Sequence, residues 1–142
     1  MKKESNWKDC IENETALKIT PDKLKAISLI ETSKDRIKYM AKELNENTCN
    51  FIFEDYYTSL LELIEAISLL DGYKISNHLC FGFYIKDVLN KVNLFYIFDD
   101  LRFKRNSLVY YGKRMEIETA KNAIEKSKRL ISELNSLIKV RL

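Results

Sequence analysis

An all-α fold, an antiparallel up-and-down bundle of roughly six helices, is what this sequence predicts, on three observations. Only three glycines and one proline occur in 142 residues, too few turn-formers for a protein of many strands. Apolar residues recur at steps of three and four along several long segments. No linker, repeat or low-complexity stretch divides the chain, so residues 1–142 read as a single domain that can bury a core without disulfides or a structural metal.

The elements follow in order. A first helix is expected over about residues 5–19, with Trp7, Cys10, Ile11 and Leu17 on one side. Thr20, Pro21 and Asp22 read as the next start: Thr20 caps, Pro21 suits the first helical position, and Asp22 suits the positive helix end. The second helix turns Leu24, Ile27, Ile37, Met40, Ala41 and Leu44 toward the core and ends near residues 45–47. The third is the most apolar: Phe51, Ile52, Tyr56, Leu60, Leu63, Ile64, Ile67 and Leu70 keep helical spacing, and Phe53, Tyr57 and Leu61 widen the face, which makes it central. Gly72 supplies a left-handed stop. A link through Ser76 leads to a fourth helix ending near Asn90, and a fifth spans about residues 92–111 until Gly112. In the last helix Ile117, Ala120, Ile124, Ser127, Ile131, Leu134 and Ile138 form a seam that demands a partner helix, within the chain or across a dimer. The aromatics Phe51, Phe53, Tyr56, Tyr57, Phe81, Phe83, Tyr84, Phe95, Tyr96, Phe98 and Phe103 are expected in the core rather than on a base-stacking surface. Tyr110 and Tyr111 are excepted because basic residues surround them.

The longest apolar run, Leu94 to Phe98, is far too short to span a bilayer, and the polar first ten residues read as no signal peptide. Cys10, Cys49 and Cys80 are odd in number and far apart, which suggests buried, reduced thiols of a cytoplasmic protein rather than a disulfide or a metal site. No Gly-rich phosphate loop and no zinc-type ligand spacing occur, so no cofactor or metal is expected. Net charge is only +3, but it is unevenly placed. Residues 1–100 carry 13 Lys/Arg against 17 Asp/Glu, and residues 101–142 carry 11 against 4. The segment 102–114 holds Arg102, Lys104, Arg105, Lys113 and Arg114 and no acid. That asymmetry favours an anionic partner or else marks a solvated helix face.

One residue needs explaining. Leu94, Phe98, Leu101, Arg105, Leu108 and Gly112 fall on one line of the fifth helix, so Arg105 sits on an apolar seam. Desolvating an unpaired guanidinium costs several kcal/mol. Either it pairs with an internal carboxylate such as Asp99, Asp100 or Glu62, or reaches water, or it lines a cleft and grips a phosphate. The adjacent stripe carries Arg102, Asn106 and Tyr110 on one face.

Two blocks resemble the HEPN family of helical nucleotide-binding domains. One runs from Tyr56-Tyr57-Thr58-Ser59-Leu60-Leu61 to Leu70-Asp71-Gly72-Tyr73-Lys74-Ile75-Ser76-Asn77-His78, and the other is Leu101-Arg102-Phe103-Lys104-Arg105-Asn106-Ser107-Leu108-Val109-Tyr110-Tyr111-Gly112, followed by a long closing helix. The resemblance covers about residues 50–142; residues 1–50 match only as generic helix. It implies a helical bundle that pairs as a homodimer around a shared cleft and, in many members, a metal-independent ribonuclease with an Arg-x4-6-His motif. Arg105 and Asn106 match the start of that motif, while the histidine positions hold Tyr110, Tyr111 and Gly112.

A tyrosine with the ordinary pKa of about 10 is a poor base at neutral pH. The resemblance therefore implies RNA or nucleotide binding, with ribonuclease activity weak or lost. Arg105 and Tyr110 are the candidate catalytic residues, and Arg102, Arg105, Asn106, Tyr110, Tyr111 and Lys113 the candidate ligand-binding residues. The only histidine, His78, is expected to be a capping or surface residue. Two rival readings are a protein-interaction module for a small nucleotidyltransferase, as in toxin–antitoxin pairs, and a purely structural bundle.

Overall fold

The computed structural model describes residues 2–142. Six helices carry the fold: α1 (Trp7–Glu12), α2 (Lys23–Tyr39), α3 (Cys49–Asp71), α4 (His78–Phe83), α5 (Val92–Tyr111) and α6 (Ile117–Arg141). Two short strands, β1 (Ala16–Lys18) and β2 (Tyr73–Ile75), form an antiparallel pair, and α4 runs into a π-helical turn at Tyr84–Val88. The predicted all-α bundle is thus observed, and none of the described helices is long and apolar enough to cross a membrane.

The chain organises around α3 because that helix is apolar on nearly every side. Ile52, Phe53, Tyr56, Tyr57, Leu60, Leu63, Ile64 and Ile67 are all buried. α2 packs on one flank of α3 and α6 on another, with α4 and α5 completing the enclosure. The seam of α6 finds its partner in α3, within the chain: Ala120, Ile124, Ser127, Leu134 and Ile138 are buried, and Ile131 is half-buried. Gly72 ends α3 at φ +88°, where its N–H returns to the carbonyls of Ser68 and Leu69. Its carbonyl accepts from the Ile19 N–H at 2.8 Å, and a Cβ there would stand 3.0 Å from the Ile19 oxygen. Glycine is therefore required both by the backbone and by the passing segment.

Several expectations need correction. The helix expected over 5–19 stops at Glu12, because Ala16–Lys18 pairs instead with the chain leaving Gly72, Ala16 opposite Ile75. Non-local strand pairing overrides the local helical pattern. Asp22, not Thr20, caps α2, accepting from the Lys25 N–H at 3.1 Å. That helix ends at Tyr39, so Ala41 and Leu44 lie on the surface, as does Leu24. Of the aromatics expected in the core, Phe51, Tyr96 and Phe103 are exposed.

The cysteines depart furthest from expectation. Cys10 and Cys80 form a disulfide, with Cα atoms 6.0 Å apart, and only Cys49 is a free, buried thiol. The strand pair folds α1 onto α4, a proximity that a 70-residue separation hides. The same corner is fastened by Glu4, whose carboxylate accepts from Asn13, Thr15 and Asn77. These hydrogen bonds, that from Asn13 foremost, hold the Glu4 carboxyl below its usual range. At the other end of the bundle Asn50 grips the α5–α6 connection through both amide atoms: Nδ2 donates to the Met115 carbonyl at 3.1 Å and Oδ1 accepts from the Met115 N–H at 2.9 Å.

Two outcomes follow for stability. Cys10→Ser, or reductant on the wild type, lowers the free energy of unfolding by about 2–5 kcal/mol, the usual range for a long-loop disulfide, read by urea denaturation with and without dithiothreitol. Asn50→Ala strands the backbone groups of Met115 and costs about 1–3 kcal/mol; an unchanged urea midpoint would contradict the clamp.

Candidate functional site

The site is built from the C-terminal half of α5 and the start of α4. Leu94, Phe98 and Leu101 bury the seam of α5 in the core, and one turn later the line surfaces at Arg105, which is half-buried. All three carboxylates that could neutralise it are engaged elsewhere. Glu62 takes both Nε and Nη2 of Arg36, at 2.9 and 3.0 Å. Asp99 takes Arg102 at 2.9 Å. Asp100 takes Lys104 at 2.6 Å and Lys126 at 3.5 Å. Burial pulls the Asp100 carboxyl up, but Lys104 and Lys126 outweigh it and hold the group below its usual range.

Among the described residues Arg105 has no ion pair. Its guanidinium lies instead 6.0 Å from the ring centroid of Tyr57 and 5.7 Å from that of Tyr110, at the outer range of cation–π contact. Ring faces attract a cation but do not cancel its charge.

An open cleft of about 400 Å³ adjoins Arg105. Arg102, Arg105, Asn106 and Tyr110 form the α5 wall, and Ser76, Asn77, His78 and Leu79 form the opposite one. Four of the sequence-predicted residues therefore converge. Two do not: Tyr111 projects 83% exposed, and Lys113, past the α5 stop at Gly112 (φ +62°), lines a separate cavity on the other flank of α5.

His78 corrects the sequence reading in the other direction. It neither caps a helix nor lies on open surface. Asn77 is the cap, its Oδ1 accepting from the Cys80 N–H at 2.8 Å, while the His78 ring is half-buried against Tyr57 and Phe81. Burial, then the charges of Arg105 and Arg102, push its pKa below the usual histidine value, so the imidazole is neutral at pH 7.

Nδ1 of His78 lies 3.2 Å from the Tyr57 hydroxyl. Burial raises the Tyr57 pKa well above the ordinary value, against a partial offset from Arg105 and Arg102, so the phenol keeps its proton. Nδ1 is the hydroxyl's hydrogen-bond partner among the described residues, and the imidazole tautomer decides which of the two donates. Where the phenol donates, the imidazole proton sits on Nε2. In that tautomer His78 contributes an N–H donor rather than a base.

The cleft thus collects two guanidiniums, one without a counter-charge, with a neutral imidazole, the Asn106 amide and an exposed phenol. Such a set holds an anion through planar, charge-assisted hydrogen bonds. Sequence reasoning missed Tyr57 and His78 because they meet across α3 and α4, at a separation of 21 residues. The one sequence signal was that His78 falls within the first resembling block.

By NMR titration His78 is expected to show a pKa below the reference 6.5, moving upward in Arg105→Ala. The folded pKa is depressed, so below pH 6.5 the unfolded chain takes up the proton first. Stability is therefore fully present above about pH 6.5 and declines as pH falls toward the folded pKa. His78→Gln should flatten that decline in pH-dependent urea melts.

Comparison with known proteins gives no match, whether to a family model, to a curated protein or to a solved structure, so the functional reading rests on this geometry.

Proposed function

We propose that this chain binds RNA or a nucleotide, holding a phosphate in the cleft between α4 and α5, with ribonuclease chemistry weak or lost. The carrying observation is Arg105: a half-buried guanidinium whose three candidate carboxylates are taken by Arg36, Arg102 and Lys104. A partly desolvated cation without a counter-charge is costly, and a bound phosphate would supply the missing anion. Arg102 adds a second cation, Asn106 a polar contact, and Tyr110, 69% exposed beside them, a ring on which a base would stack.

Binding is favoured over cleavage for a chemical reason. Removing the proton of an RNA 2′-hydroxyl needs a base within reach. The single histidine, His78, has its Nδ1 engaged by the Tyr57 hydroxyl, and where the phenol donates, the other ring nitrogen carries hydrogen. The resemblance to HEPN domains agrees in part: Arg105 and Asn106 match, and the motif histidine is replaced by Tyr110 or Tyr111.

Fluorescence anisotropy with a labelled eight-nucleotide RNA tests the reading. Arg105→Ala is expected to weaken binding at least about tenfold, as loss of a charged hydrogen-bond partner does, and Arg105→Lys to restore only part of it. Equal affinity in wild type and Arg105→Ala would overturn the site. In a gel-based cleavage assay, strand scission that appears in Tyr110→His but not in wild type would identify the natural protein as a binder, and wild-type scission at a comparable rate would refute the loss of chemistry.

A further inference from the structure

The C-terminal half of α5 is a ridge with a hollow on each side. One is the Arg105 cleft. The other, also about 400 Å³, is bounded by Phe103, Lys104, Ser107, Lys113 and Arg114, with the carboxylates of Asp100 and Glu116 on its wall. Along the ridge Phe103 and Tyr110 stand seven residues apart, two helical turns or about 10 Å. Their rings are 70% and 69% exposed, and neither stacks on another aromatic ring among the described residues. Exposed rings beside cations offer faces on which bases can stack.

The charge around them is mainly positive. Asp99 and Asp100 are neutralised by Arg102, Lys104 and Lys126, and Glu116, on the wall of the Phe103 hollow, is the one acid there without an ion pair among the described residues. Arg105, Lys113 and Arg114 form no ion pair among the described residues. The ridge thus alternates exposed rings with cations that lack an ion pair, the arrangement that binds unstacked bases and their backbone together.

We infer that the binder is specific for single-stranded nucleic acid, whose chain crosses α5 from the Arg105 cleft to a second subsite at Phe103, Lys113 and Arg114, with Tyr110 and Phe103 as successive stacking rings. This rests on the phosphate-binding reading above and extends it from one nucleotide to a strand. A duplex is disfavoured because its bases are already stacked and offer no free face to either ring. A second copy of this chain is disfavoured as the occupant because the same face would bring Arg105, Lys113 and Arg114 against their own like charges.

The test uses the full chain and fluorescein-labelled oligouridylates of two, four, eight and twelve nucleotides, with uridine monophosphate as competitor. Affinity is expected to rise by more than about tenfold between two and eight nucleotides and then level off, as in short stacking grooves. Phe103→Ala and the double variant Lys113→Ala/Arg114→Ala should each weaken the eight-mer at least about fivefold, at the scale of one lost stacking contact, and leave competition by the mononucleotide unchanged. The salt slope of the double variant should fall by roughly 1.4, about 0.7 for each lost phosphate contact on a single strand.

Affinity that is flat with length, with the mononucleotide still bound, overturns the second subsite and spares the Arg105 cleft. So does an eight-mer affinity indifferent to both variants, or equal binding of an eight-base-pair duplex. Absence of any oligonucleotide or mononucleotide binding overturns both readings. Light scattering after size exclusion gives the last check: if Phe103→Ala separates a dimer while eight-mer affinity is kept, the ridge is an interface between copies and the inference fails.

Discussion

The placement of α3 governs the rest of the molecule, because one helix buried on several flanks must send each of its polar groups somewhere specific. Glu62 goes to Arg36 of α2, Asn50 to the backbone of Met115, and the Tyr57 hydroxyl to His78. Each of these settles a question at a distance. Because Glu62 faces α2, it is spent before it could reach α5. Because Asn50 holds Met115, the connection carrying Lys113 and Arg114 has a fixed base. Because Tyr57 engages Nδ1, the histidine ring of α4 is held against α3.

Electrostatics on α5 follow from the same economy of partners. Three cations on or beside it, Arg102, Lys104 and Lys126, share the carboxylates of Asp99 and Asp100, and Arg105 has none. The cost of leaving it so is reduced by its half-exposed position and by the two ring faces beside it. The two hollows flanking the helix differ in character: that at Arg105 has a polar far wall from α4, whereas that at Phe103 is closed by the α5–α6 connection.

Much of this was legible in the sequence where information is local. The apolar breadth of α3, the α5 seam and the stops at Gly72 and Gly112 follow from spacing and from residues that tolerate positive φ. The convergence of Arg102, Arg105, Asn106 and Tyr110 needed only a helix, since one turn separates neighbours on the stripe. What could not be read is non-local. Ala16–Lys18 becomes a strand only because β2 lies beside it, and from that pairing follows the meeting of Cys10 with Cys80. His78 looked like a cap because it stands at a helix start, yet Asn77, one residue earlier, makes the capping bond. Nor could spacing tell which of Asp99, Asp100 and Glu62 was spare: each sits within plausible reach of several cations, and geometry alone allots them.

The covalent link between α1 and α4 makes residues 10–80 a closed ring, threaded by β1, α2, α3 and β2. Its surface stretch at Ala41–Leu44 is the obvious place for a protease to enter. A single cut there opens the ring without parting the molecule, so the nicked chain keeps the intact length of α3 and its His78 wall. Two fragments would separate on a denaturing gel only after the sulfur–sulfur bond is broken. The cleft is thus insulated from backbone damage in the non-helical segment between α2 and α3.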